Sequence, residues 1–202
     1  SDPTARSASC LSFATPAPYL VVGPLSNFCI TYKELRSVII YCMKIKTIKQ
    51  HDSIACGPTC IEMALQYFQI PHTIKEITNI TDYKKIGGLY NKQLIKALNK
   101  LGLKTYAHIN STWEELRNFN TKNNVIILSW MLDGYIPHLS VLEKIESAHI
   151  YLSDPTSGKI IKIKKIKFLR LWLDYEVANK EMWYPKKNTD IQLRWMVVVS
   201  TK

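Results

Sequence analysis

A cysteine at position 56 stands between Ala55 and a Gly-Pro pair, and an apolar run, "IEMALQYF", follows soon after. Proline suits the first turn of a helix, where its missing N–H is no loss. Cys56 is therefore expected at, or one residue before, a helix N-terminus. Unpaired backbone N–H groups and the helix macrodipole favour an anion there, and the thiolate is the anionic form of cysteine that attacks carbonyl carbon. Cys60, one turn further on, falls on the apolar stripe and is expected in the core.

A thiol nucleophile needs a base, and the base needs a group to orient it. Five histidines compete: His51, His72, His108, His138 and His149. His51 is too near Cys56 in sequence to be placed, His72 follows Pro71 in a loop, and His108 and His149 sit in strand-like stretches. His138 opens a strand after the turn "DGYIP", and Asp154 ends a later strand, just before Pro155. If those strands pair as a hairpin, His138 and Asp154 come side by side although sixteen residues separate them. Neither His108 nor His149 has a carboxylate so placed. Gln50, six residues before Cys56, is the candidate oxyanion donor through its side-chain NH₂, with the Cys56 backbone N–H as a second donor. The local sequence alone equally suits a small buried cysteine at position 56, and in isolation Gln50 reads as a polar surface residue.

These residues must be carried by elements that the patterning supplies. Met43 to Ile48 reads as a short strand or extended lead-in. Cys60, Ile61, Ala64, Leu65 and Phe68 recur at helical spacing, with Pro71 as the stop. "TIKEITNI" is a second, short helix, and "GGLYNKQLIKALNKLGL" a third, ending at Gly102. "STWEELRNF" makes a fourth, with a capping box expected from Ser111 and Glu114. The period then shifts toward two. "NVIILSWM", "HLSVLEKI", "AHIYLSD" and "GKIIKIKKI" read as strands, "KFLRLWLDY" as a short helix and "QLRWMVVVS" as a last strand. Helices followed by an antiparallel sheet give the class α+β.

The totals agree with one folded domain. The chain has 202 residues, 47% hydrophobic and 21% charged, with no apolar run long enough to span a membrane. The net charge is +11, but the lysines are scattered apart from residues 159–167. There they alternate with isoleucine, as on a strand with one solvated face. No aromatic platform is interleaved, so nucleic acid is not an expected partner. Five cysteines without a Cys-x-x-Cys pair give no disulfide framework and no structural zinc site, and point to a reduced, cytoplasmic setting. Residues 1–42 differ from the rest. They hold Pro3, Pro16, Pro18 and Pro24, and only +1 of the net charge. They are expected to be an extension, a tag remnant or a mis-assigned start, with the working domain over residues 43–202.

Taken together, "QHDSIACGPTC", "PHLSVLEKI" and "LSDPTSGKIIKI" resemble the bacteriocin-processing, double-glycine cysteine peptidases of the papain-like clan, over about residues 45–175. The resemblance implies a papain-like fold with N-terminal helices packed on a C-terminal antiparallel sheet. It implies Cys56 as nucleophile, His138 as base, Asp154 as its orienter and Gln50 as oxyanion donor. The chain departs from the family pattern at Pro137, where a small residue or glycine often precedes the histidine. Many members are the cytosolic N-terminal domain of an ATP-binding-cassette exporter. This sequence shows no Walker motif or membrane domain, so a stand-alone member with an exporter partner on a separate chain is expected. The expected reaction is hydrolysis of a peptide or protein substrate after small residues, without metal or cofactor. A peptide-binding module without turnover, and amide or isopeptide hydrolysis or acyl transfer, are the alternatives.

Overall fold

The computed structural model describes residues 44–175 and 187–201. The expectations for residues 1–42 lie outside them. After an extended lead-in come α1 (Cys56–Tyr67), α2 (Ile74–Thr81), α3 (Tyr83–Ile86) and α4 (Asn91–Lys100), then β1 (Lys104–His108) and α5 (Trp113–Phe119). Strands β2 (Val125–Leu132), β3 (Ile136–Ile145), β4 (His149–Asp154) and β5 (Lys159–Lys164) follow. The chain continues through α6 (Lys165–Leu171), β6 (Leu173–Tyr175), β7 (Ile191–Leu193) and β8 (Met196–Ser200). Six strands form one sheet in the order β1-β8-β2-β3-β4-β5, every neighbour antiparallel. β6 and β7 make a separate two-stranded ribbon.

Helices cover both faces of the sheet. Val125 and Ile127 of β2, with Leu139, Val141, Val197 and Val199, pack against α1 and α4. The alternate residues Ile126, Leu128 and Trp130, with Leu142, Ile150, Leu152 and Met196, pack against Trp113 and Leu116 of α5, Phe168 of α6 and Trp172. β2 is thus buried on both sides, which is why it reads as a nearly unbroken apolar run rather than an alternation. β5 lies at the sheet edge, and its lysines stand exposed beside one buried residue, Ile163. Lysine on an edge strand blunts pairing with other chains.

Besides α3, which the sequence reading did not contain, three elements differ from it. The cap of α5 is Thr112 with Glu115: the Thr112 side chain accepts from the Glu115 N–H at 3.1 Å. The motif "STWEE" fits both registers, but Ser111 is fully buried and hydrogen-bonded to His108 Nδ1 at 2.9 Å, so it is not free to cap. The helix read over "KFLRLWLDY" starts at Lys165 and stops at Leu171. Trp172 Nε1 donates to the Trp195 carbonyl at 2.9 Å, and residues 173–175 pair with 191–193. The expected last strand is two strands, broken at Arg194, whose φ of 49° is left-handed.

Candidate active site

α1 begins at Cys56 with Ala55 as N-cap. Neither a side-chain cap nor an acidic residue stands in its first turn. Its positive end is left uncompensated by side chains, and Cys56, half-buried, occupies it. Gly57 lets α1 approach Leu89 and Leu139 closely. A Cβ there would stand 2.7 Å from Leu89 Cβ and 3.3 Å from Leu139 Cδ1. Cys60 is fully buried. Burial pushes its thiol well above the ordinary range, with Cys56 and Asp154 adding to the effect, so it is an inert core residue.

The β3–β4 pairing brings His138 and Asp154 together. Val141 pairs with Ser153, with an irregularity after Leu142, and His138 Nε2 lies 2.6 Å from Asp154 Oδ1. Both are buried, His138 at 4% exposure and Asp154 at 3%, so water screens the contact little. With Nε2 taken by the carboxylate, Nδ1 is left for a second partner, and the Cys56 side chain interacts with the ring and favours its charged form. Burial works against an imidazolium here, but the bonds to Asp154 and Cys56 outweigh it and raise the His138 pKa to about 9. Burial likewise works against the Asp154 anion, but His138 and Ser157 hold its pKa down to about 2. The Ser157 N–H donates to Asp154 Oδ2 at 2.8 Å.

Trp130, opposite His138 in the β2–β3 register, meets the imidazole edge-on with ring centroids 5.7 Å apart. Its Nε1 donates to Ser140 Oγ at 3.1 Å, and Ser140 reaches Asp154 Oδ1 at 3.5 Å. Of the five histidines only His138 is buried. His51 bonds the Tyr83 hydroxyl, His72 its neighbouring Ile70 carbonyl, His108 Ser111, and His149 lies at the start of β4 opposite Lys164.

Gln50 stands against the turn that follows Asp154. Its backbone N–H donates to the Pro155 carbonyl at 2.8 Å, and its Oε1 accepts from Thr156 Oγ1 at 3.3 Å. Its Nε2 donates to the Asp52 carbonyl at 2.6 Å. The loop from Gln50 to Cys56 is itself tied down by Asp52. One carboxylate oxygen accepts from the Ile54 N–H at 3.0 Å and the other from the Tyr83 hydroxyl at 2.7 Å. Tyr83 is fully buried, and its hydroxyl is pushed up to about 12 by burial and by Asp52. The lead-in crosses the 154–158 turn closely. Thr47 Oγ1 donates to Ser153 Oγ at 2.9 Å, and a Cβ on Gly158 would lie 2.6 Å from Lys49 Cβ. Gly158 also has a φ of +66°. Asp52, Thr156 and Ser157 were not singled out from sequence, although the Asp-x-x-Ser and Asp-Pro-x-x-Gly patterns at residues 154–158 are turn signals that could have marked Thr156 and Ser157.

No group of three His, Cys, Asp or Glu able to hold a metal stands among the described residues. No helix among them is long and apolar enough to cross a membrane.

A family model described as the Peptidase C39 family matches residues 44–180. The chain belongs to the peptidase C39 family. It is by family a cysteine peptidase, a hydrolase. This C39 chain is 26% identical over 145 residues to the SPbeta prophage-derived sublancin-168-processing and transport ATP-binding protein SunT of Bacillus subtilis. That match covers 70% of this chain and 20% of SunT, so the chain spans about a fifth of the length of the curated relative. The fold is that of the peptidase domain of Streptococcus ComA, a bifunctional ABC transporter involved in a quorum-sensing pathway. There the TM-score is 0.59 at 16% identity, covering 78% of this chain and 99% of that one. It is also that of a double-glycine-motif protease from an AMS/PCAT transporter, solved with its leader peptide. There the TM-score is 0.57 at 20% identity, covering 79% of this chain and 94% of the other. The C39 match bears out the expected cysteine-peptidase family, and the structure bears out the expected α+β class of helices packed on an antiparallel sheet.

Proposed function

We propose that this C39 peptidase cleaves a leader segment from a peptide substrate through an acyl-enzyme on Cys56, with His138 as general acid and base, Asp154 as its orienter and Gln50 as oxyanion donor. The observation that carries the reading is the buried chain of contacts from the thiol at the positive end of α1 through His138 to Asp154, 2.6 Å away. His138 holds the thiol proton, and the Cys56 sulfur attacks the scissile carbonyl. The carbonyl π electrons move onto oxygen, where the Gln50 side-chain N–H and the Cys56 backbone N–H receive the charge. As the tetrahedral centre collapses, the C–N bond breaks, and His138 gives its proton to the leaving amine. Water then attacks the thioester, His138 takes its proton, and the C–S bond breaks to release the acid and the Cys56 thiolate, with His138 protonated as at the start. Asp154 remains an anion throughout, which its depressed pKa supports.

The substrate class rests on the relatives, whose names tie them to leader or bacteriocin processing. We assign cleavage after small residues, in the cytoplasm. The test is cleavage of a peptide library read by mass spectrometry, with wild type and Cys56→Ala. Cleavage after small residues by wild type alone supports the reading. Equal products from both proteins, or tight binding of peptides that are never cut, overturns it, the second in favour of a binding module.

A further inference from the structure

A glutamine carboxamide has two ends of similar shape and opposite hydrogen-bonding character, so its neighbours decide which end faces where. Around Gln50 the neighbours leave one answer. The Asp52 carbonyl can only accept, and it lies 2.6 Å from Nε2. A reversed amide would set two acceptors at that distance. On the other side the Thr156 hydroxyl donates to Oε1 at 3.3 Å. With one Nε2 hydrogen on Asp52, one remains for an incoming oxyanion.

Thr156 belongs to the 154–158 turn, which is closed by the Gly158 N–H on the Asp154 carbonyl at 2.9 Å and by the Ser157 N–H on Asp154 Oδ2 at 2.8 Å. The Gln50 backbone docks on the same turn through Pro155. The turn that fixes the orienter of His138 therefore also grips the opposite arm of the site. We propose that Thr156 is a positioning residue for the Gln50 carboxamide: its hydroxyl holds Oε1 so that the second Nε2 hydrogen is presented to the oxyanion. This rests on the assignment of Gln50 as an oxyanion donor. Thr156 itself touches no reacting atom, and it is exposed, so its substitution leaves the core intact.

The experiment measures kcat and KM on a fluorogenic peptide whose reporter is amide-linked after Gly-Gly, for wild type, Thr156→Val, Thr156→Ser, Gln50→Ala and the Gln50→Ala/Thr156→Val pair. Thr156→Val keeps the shape and removes the donor, and is expected to lower kcat about fivefold, the scale of one net hydrogen bond, with KM unchanged. Thr156→Ser keeps the donor and is expected to restore kcat to near wild type. In the Gln50→Ala background the valine change is expected to cost nothing further, since its target is gone. Wild-type kcat in Thr156→Val, or the same loss with and without Gln50, overturns the proposal and leaves the oxyanion assignment standing. Wild-type kcat in Gln50→Ala overturns the assignment itself and the proposal with it.

Discussion

Replacing Asp154 by asparagine removes one charge while keeping the side chain's shape, and the consequences for His138 follow from the site. His138 is nearly fully buried, and burial alone would pull its pKa below the ordinary 6.5. The Asp154 and Cys56 bonds raise it instead to about 9. At about pH 7.5 such a group is protonated roughly thirty times more often than not. Without the carboxylate, Cys56 alone is left to oppose burial, and the midpoint is expected to fall from about 9 toward or below 6.5. An imidazole with its midpoint at or below 6.5 is protonated in at most about one molecule in ten at that pH. The asparagine also offers an NH₂ to Nε2 and so favours the wrong tautomer, leaving Nδ1 protonated and unable to take the thiol proton. The expected result is a loss of kcat/KM of at least about a hundredfold, within the range set by general acid–base catalysis. The assay is an NMR titration of the His138 ring in both proteins, paired with kcat/KM against pH. A His138 midpoint that stays near 9 in Asp154→Asn refutes the reasoning, because Asp154 would then not be what keeps the ring charged.

Other outcomes follow from the same geometry. The Asp154 carboxyl is held near 2 against 3.8 in an unfolded chain. Its contribution to stability is therefore complete above about pH 3.8 and is lost as the pH falls through about 2. Urea unfolding across that range should show a pH slope that Asp154→Asn lacks. His138 has the opposite sign: its contribution is complete below about pH 6.5 and is lost as the pH rises through about 9. Gly57→Ala places a Cβ 2.7 Å from Leu89 Cβ and is expected to destabilise by about 1–3 kcal/mol, read as a lower thermal midpoint. Gly158→Ala meets both a left-handed φ and Lys49, so calorimetry should show a loss of at least about 1 kcal/mol. Peptidase activity should fall with it, because the lead-in carrying Gln50 crosses there. Tyr83→Phe removes the hydroxyl that anchors Asp52 and is expected to cost about 1 kcal/mol by denaturant titration.

The helix that presents Cys56 and the hairpin that joins His138 to Asp154 were legible because each is encoded locally. A Gly-Pro pair opens an apolar stripe, and two period-two runs flank a turn. What chose His138 from five histidines was a carboxylate at the far end of that hairpin, itself a sequence-spaced feature. The supports of Gln50 were not legible, because they come from the far side of the chain. The Pro155 carbonyl and Thr156 hydroxyl reach it only once the lead-in lies across the 154–158 turn. The α5 cap shows the same limit. Ser111 and Thr112 are equal candidates by propensity, and only the burial of Ser111 beside His108 separates them. Likewise Asn91, on α4, donates to Asp174 and Gln192 of the β6–β7 ribbon, partners that only the tertiary pairing brings together.

β8 has one more consequence. It leaves the ribosome after every other strand of this sheet, yet it lies between β1 and β2 and supplies the inner neighbour of both. A nascent chain reaching only residue 180, where the family match ends, holds β2 with a bare edge and both its apolar faces without Met196, Val197, Val198 and Val199. Such distant closure is slow and exposes sticky surface while it waits. A chain trimmed to the matched segment would thus yield aggregate rather than enzyme, and translation must run through Val199 before the sheet can close.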